Sequence, residues 1–339
     1  MAGQFDSGMM NSPAPLRRRT LCRIFGLAGL LRAIRGPMPG MERLRWEAQP
    51  DPRSASTRTY RADAQVVLLS VTLLRRSGVG AGSATWSENE RVRLLDFTGY
   101  SFPEHAAGLN RFGFIRELSR TEPDAMESIY FGLMTAAPEE SAAEAREALH
   151  KETHNQLYTT IEGRVTPGDV ETITSHFTAS SRLSVAQHEE LLTMARQALS
   201  LAPSKSPEFD RWTATQGTFL QALADLLREP SRNHVRYVYN GRLYGLWLRR
   251  YPDPKATAYF RGKRLIAEES TVVRAEGKLR REAGGKETNF QVWVEQAARP
   301  LPLRIEYQAK SYLRLTFEAD DAPSTAGTNR DFAATHWRV

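Results

Sequence analysis

His150 and His154, in the stretch His150-Lys151-Glu152-Thr153-His154, form the pair whose types and spacing could do metal chemistry. On a helix, residues four apart share a face, as two imidazole ligands of one ion must. A zinc hydrolase of the helical kind also needs Glu directly after the first His, or directly before the second. Glu152 stands in neither place and no third ligand is signalled, so solvated helix residues are the plainer reading. Other catalytic signatures are missing. There is no G-x-S-x-G elbow, and His105, His176, His188 and His234 are scattered without a Ser or Asp at a telling spacing. Cys22 is the one cysteine, which excludes an intramolecular disulfide and a Cys-based structural zinc site. The acidic residues between Glu117 and Glu152 read as a solvated helix face. Gly78, Gly80 and Gly82 have the flavour of a phosphate loop, but no helix follows to aim its amides at an anion. A turn or β-bulge is expected there. No residue is assigned a catalytic role, and no cofactor is called for.

Binding chemistry is better represented. Tyr237, Tyr239, Tyr244, Trp247, Phe290 and Trp293 crowd the C-terminal region, and Phe219 and Leu223 lie on an amphipathic stretch just before it. These eight side chains could line a groove for an apolar or lipid-like ligand, since such sites are aromatic with few polar groups. Core and cross-strand packing is the plainer reading of the same residues. Arg236, Arg242, Arg249 and Arg250 interleave with them, a pattern that also serves single-stranded nucleic acid. Charge distribution argues against that partner. The chain of 339 residues carries +7, yet residues 1–61 alone hold eleven Arg against four acids, leaving 35 basic and 35 acidic groups for the rest. A balanced body without an RNA-binding motif excludes specific nucleic-acid recognition as the expectation.

The elements that must position these residues fall into three segments. Residues 1–61 are basic and rich in Pro, Gly and Ser, and are expected to be disordered or signal-like. The run Arg17-Arg18-Arg19 precedes an apolar stretch, Ile24 to Leu31, that resembles the core of a secretory signal. Arg18-Arg19-Thr20-Leu21-Cys22-Arg23 resembles a twin-arginine export signal, although Arg32 and Arg35 follow at once and no A-x-A site appears. The apolar stretch is well short of the roughly twenty residues a transmembrane helix needs. A periplasmic or envelope location is therefore expected, with a plain basic tail on a cytoplasmic protein as the alternative. Residues 321–339 form a polar tail.

Residues 62–320 read as one antiparallel-sheet domain. Val66 to Leu74, Arg91 to Phe97, Phe112 to Leu118, Gln156 to Arg164 and Val170 to Ala179 carry strand patterns. Helices are expected near 138–154, 184–201 and 215–228, the last with Phe219, Leu220, Leu223, Leu226 and Leu227 as its stripe. From His234 to Glu318 the chain reads as almost pure strand, with Asn240-Gly241 as a hairpin turn. Arg242 to Tyr251 is apolar on both faces, so its second face needs a cover, and the helix carrying Phe219 and Leu223 is the economical one. The fold class is α+β: a large curved antiparallel sheet, a half-barrel or open barrel, with about three covering helices.

The final meander, Leu301-Pro302-Leu303-Arg304-Ile305-Glu306-Tyr307 and the strand to Phe317, resembles the closing hairpin of exported bacterial β-domains of unknown function. In arrangement the chain is similar to the lipoprotein-carrier half-barrel of the bacterial envelope, where helices plug an apolar cavity. That resemblance implies an envelope-associated binding or carrier module for an apolar chain, and no catalytic residue. A metal-dependent hydrolase using His150 and His154, or a structural or protein-interaction domain without a ligand, are the alternatives. The sequence sets no oligomeric state.

Overall fold

β-branched and alternating segments pair throughout the computed structural model, which describes residues 55–68, 71–102, 104–106, 112–121, 124–132, 155–167, 169–180, 188–202, 204–205, 217–285, 287–297, 299–310 and 312–320. The first eight strands are β1 (Ala55–Leu68), β2 (Val71–Glu88), β3 (Val92–Ser101), β4 (Phe112–Arg120), β5 (Ala125–Gly132), β6 (Asn155–Thr166), β7 (Asp169–Ser180) and β8 (Ser204–Lys205). Six more follow: β9 (His234–Tyr239), β10 (Arg242–Pro252), β11 (Val272–Arg281), β12 (Thr288–Glu295), β13 (Pro302–Lys310) and β14 (Leu313–Ala319). The described helices are α1 (His188–Ser200), α2 (Phe219–Arg228) and α3 (Pro254–Gly262).

All 14 described strands belong to one sheet in the order β8-β7-β6-β5-β4-β3-β2-β1-β14-β13-β12-β11-β10-β9, each neighbour antiparallel. The chain thus builds two meanders and joins them through β1 and β14 in its middle, leaving β8 and β9 as the sheet's ends. This is the expected α+β architecture with a large open antiparallel sheet. The curl nevertheless brings the ends together through side chains. Val238 of β9 packs with Val165 of β6 and Val170 of β7, and Thr174 Oγ1 donates to Asn240 Oδ1 at 3.3 Å. Asn240 and Gly241, at φ 48° and 66°, make the left-handed pair that a two-residue hairpin turn requires.

The register puts Tyr60, Ala84, Phe97, Ile115, Tyr130 and Ile161 on one face, and α2 lies on that face. Helix α3 covers the other, with Phe260 fully buried beside Val272 and Trp293. Helix α1 runs along β6 and β7, where Leu191, Ala195 and Leu199 are buried.

Four expectations need correcting. Val66 to Leu74 is not one strand: β1 ends at Leu68, and β2 begins at Val71 and pairs back on it, Val66 opposite Leu74. β1 begins at Ala55, inside the stretch assigned to the basic N-terminal segment, because Arg58 is a core residue: it is 2% exposed and its Nη1 donates to the Leu301 carbonyl at 3.0 Å. The acidic stretch is not all helix face. Glu117 and Glu127 lie on strands β4 and β5 and are buried, each placed by the pleat rather than by a helical period. The region from His234 to Glu318 is interrupted by α3, which Asp253 caps by accepting from the Ala256 amide at 2.9 Å, with Pro254 opening the first turn. Helices α1 and α2 fall within the expected 184–201 and 215–228. The expected helix near 138–154, residues 1–54 and the tail after Asp320 lie outside the described residues.

Candidate functional site: a clamped helix on an aromatic face

Helix α2 is only ten residues long, too short to hold itself together in water, so its surroundings must hold it. Its first turn exposes backbone N–H groups that Thr218, at the cap position, leaves without a side-chain bond. A residue from a distant strand supplies the acceptor. Glu117 on β4 accepts from the Gln221 amide at 2.9 Å and from the Thr218 hydroxyl at 2.6 Å, both on Oε2, while Tyr130 donates to Oε1 at 2.9 Å. A carboxyl group here also faces the positive end of the helix dipole. Burial nonetheless drives the Glu117 carboxyl above its usual range, and the hydrogen bonds from Thr218, Leu220, Gln221 and Tyr130 only partly offset this.

The other end is held in the complementary sense. Arg250 of β10 directs its guanidinium at this end, donating to the Leu226 carbonyl in the last turn and, at 2.8 Å, to the Arg232 carbonyl in the loop that follows. Along the helix, Arg93 of β3 pairs with Asp225 at 2.6 Å and also reaches Gln221. Arg228 pairs with Glu88 of β2 and lies 4.5 Å from the Trp86 ring centroid. Gln221 Nε2 donates in turn to the carbonyls of Arg93 and Glu117, each at 3.3 Å. One side of α2 is therefore polar and bound to β2, β3 and β4.

Its other side is apolar and meets the aromatic residues of the second meander. Phe219, Leu223 and Leu227 are half-buried against Tyr237, Tyr244, Leu246, Phe290 and Val292. Phe219 and Tyr237 rings lie 5.3 Å apart, and Tyr237 stacks on Tyr244 at 5.5 Å. Tyr239 continues the row to Tyr130 at 4.6 Å, which links this aromatic face to the Glu117 site. Burial pushes the Tyr237 and Tyr130 hydroxyls well up, so both stay protonated.

Of the eight groove candidates, Tyr237, Tyr239, Tyr244, Phe290, Phe219 and Leu223 are brought together in this cluster. Trp247 and Trp293 are not. Trp247 pairs across the ladder with His234 on the opposite face and stacks on it at 4.6 Å. Trp293 donates to Asp253 at 3.0 Å beneath α3. His150 and His154 lie outside the described residues, and among the described residues no three His, Cys, Asp or Glu side chains are placed to hold a metal ion. Among them, too, no helix is long and apolar enough to cross a membrane. Sequence reasoning missed Glu117 and Arg250 as helix clamps. The available signal was weak: a carboxylate in a mostly apolar strand, Phe112 to Leu118, where only Arg116 is also charged, has to find a buried partner.

No protein-family model matches the chain, and no curated protein matches it. Among solved structures the chain is similar to a β-barrel-like protein of a domain of unknown function (DUF1849) from Brucella abortus. That likeness has 7% sequence identity and a TM-score of 0.42, and covers 81% of this chain and 98% of that one.

Proposed function

We propose that this chain is a non-enzymatic binding or carrier module of the bacterial envelope, taking an apolar, lipid-like chain on the aromatic face beneath α2. The observation that carries the reading is the two-sided character of that helix. Its hydrogen bonds along the flank go to β2, β3 and β4, whereas its contact with Tyr237, Tyr244 and Phe290 is purely apolar. An alkyl chain could take the place of Phe219, Leu223 and Leu227 there without breaking a flanking hydrogen bond. The signal-like residues before Ala48 support the envelope location.

Mass spectrometry of lipids co-purifying with the native protein tests this directly. A lipid retained in stoichiometric amount supports the carrier reading. Absence of bound lipid, together with no uptake of an apolar dye by Glu117→Ala, in which the helix is unclamped, overturns it.

The clamps at both ends of α2 favour a second reading, a structural or protein-interaction domain whose inner face is permanently filled. Under that reading the dye stays out of the folded protein in every variant. The hydrolase reading rests on His150 and His154 alone, and stoichiometric zinc lost on His150→Ala would restore it.

A further inference from the structure

Exposed leucine is rare in the described residues, yet Leu73 and Leu74 are adjacent and exposed by 61% and 49%. They stand near the start of β2, where it pairs with the last residues of β1, beside the end of β13 and the start of β14. The Val67 amide donates to the Tyr312 carbonyl at 2.8 Å and ties the two ends together. The register defines what this end presents. Leu74, Val66 and Leu313 form one cross-strand row, and Arg75, Gln65 and Arg314 form the next. Leu73 falls in the register shift between Val66 and Val67, has no strand partner opposite it, and projects from the bulge. Arg75 is 63% exposed, and Arg314 is exposed as well.

Between residues 64–77 and 307–316 there is no Asp or Glu. The nearest carboxylate on these strands, Asp63, is mostly buried and already lies within 3.7 Å of Arg61 and 3.6 Å of Arg75. An apolar tip backed by a row of arginines, with a tyrosine beside it, has the composition of elements that sit in the headgroup region of a bilayer. Leucines supply burial in the acyl boundary, and the guanidinium groups complement anionic headgroups.

We propose that the paired ends of β1–β2 and β13–β14 dock on an anionic membrane surface, with Leu73 and Leu74 entering the acyl boundary and Arg75 and Arg314 contacting lipid phosphates. This goes beyond the carrier reading and does not depend on it, since it concerns the outer tip of the sheet and not the face under α2.

The test uses the full chain, so that the basic N-terminal segment is the same in every sample. Co-sedimentation is measured with vesicles of phosphatidylcholine alone and of equal parts phosphatidylcholine and phosphatidylglycerol. Leu73→Asp with Leu74→Asp is expected to lower partitioning onto the anionic vesicles about tenfold or more. Arg75→Glu with Arg314→Glu should lower it too and flatten its salt dependence. In a second measurement an environment-sensitive fluorophore is placed on Leu74→Cys in a Cys22→Ser background. Its emission should shift to the blue on the anionic vesicles. Unchanged partitioning of the Leu73→Asp, Leu74→Asp chain, or an unshifted fluorophore, overturns the proposal. So does a lipid-free dimer that this pair of changes converts to monomer, because the tip would then be a contact between two copies. Lipid retained inside the purified protein bears on the carrier reading alone.

Discussion

Glu117 on β4 and Arg250 on β10 hold opposite ends of the same helix, the carboxyl at the amide end of α2 and the guanidinium at its carbonyl end. The two strands lie in different meanders of the sheet, so this short helix fastens one half to the other. Each charge type matches the pole of the helix dipole that it meets.

Removing the first clamp should loosen the helix before the sheet. Glu117→Ala leaves the Thr218 hydroxyl, the Gln221 amide and the Tyr130 hydroxyl without their buried acceptor, at a cost of about 3 kcal/mol or more. Glu117→Gln keeps the shape and part of the bonding and should cost less. Urea midpoints measure the totals. Hydrogen exchange should show the amides of residues 219–228 losing protection ahead of those in β10 and β11.

Leu226 and Leu223 both pack in the aromatic cluster under α2 but differ in burial. Leu226 has no exposed surface, so Leu226→Ala should cost about 2–5 kcal/mol through lost burial and a cavity. Leu223 is only half-buried, and Leu223→Ala should cost less. Equal costs, read from denaturation midpoints at constant slope, would contradict this difference in burial.

The stability–pH curve should carry opposite signatures from two glutamates. Burial alone would raise the Glu318 carboxyl, but hydrogen bonds from Lys263, Tyr259 and Arg304 outweigh it and hold the group down to about 2. Its folded value lies below its unfolded one, so its contribution is complete above the usual glutamate value of 4.5 and is lost as pH falls towards 2. For Glu117 the folded value is raised. Its contribution is complete below the unfolded value and declines as pH rises through the shifted range. Thermal midpoints across pH should therefore show Glu318→Gln flattening the acid limb, and Glu117→Gln flattening a decline on the less acid side.

The glycines after Arg76 give a structural prediction of their own. A Cβ at Gly80 would lie 2.1 Å from the Tyr100 carbonyl oxygen, a backbone atom of the adjacent strand that cannot turn aside. Gly80→Ala should part β2 from β3 locally and cost about 1–3 kcal/mol. Gly78 has open space around it but sits at φ +65° in the bulge opposite Asp63, whose Oδ1 accepts from its amide at 2.8 Å. Gly78→Ala should cost about 1 kcal/mol, from backbone strain alone. Calorimetric midpoints will rank the two.

By itself the sequence determined what is local. The strand pattern follows from period-two alternation and β-branched runs, the Asn240-Gly241 turn from its two left-handed positions, and the reach of α2 from its stripe of Phe219, Leu223 and Leu227. It also required a cover for β10, whose two faces are both apolar. Helix α3 was legible in principle, because Asp253-Pro254 is a cap followed by a first-turn proline, but its nine residues were too few to stand out among strands. Only the tertiary structure decided which charges are buried. Glu117 and Arg58 look like any other charged residues in sequence, and each is placed by a partner more than a hundred residues away: the Thr218 hydroxyl and the Leu301 carbonyl. It also divided the aromatic set, sending Tyr244 to the face under α2 and Trp247 to the opposite face. The reason is physical: periodicity reports which residues share a face, whereas the curl of the sheet and the pairing of β1 with β14 decide what that face meets.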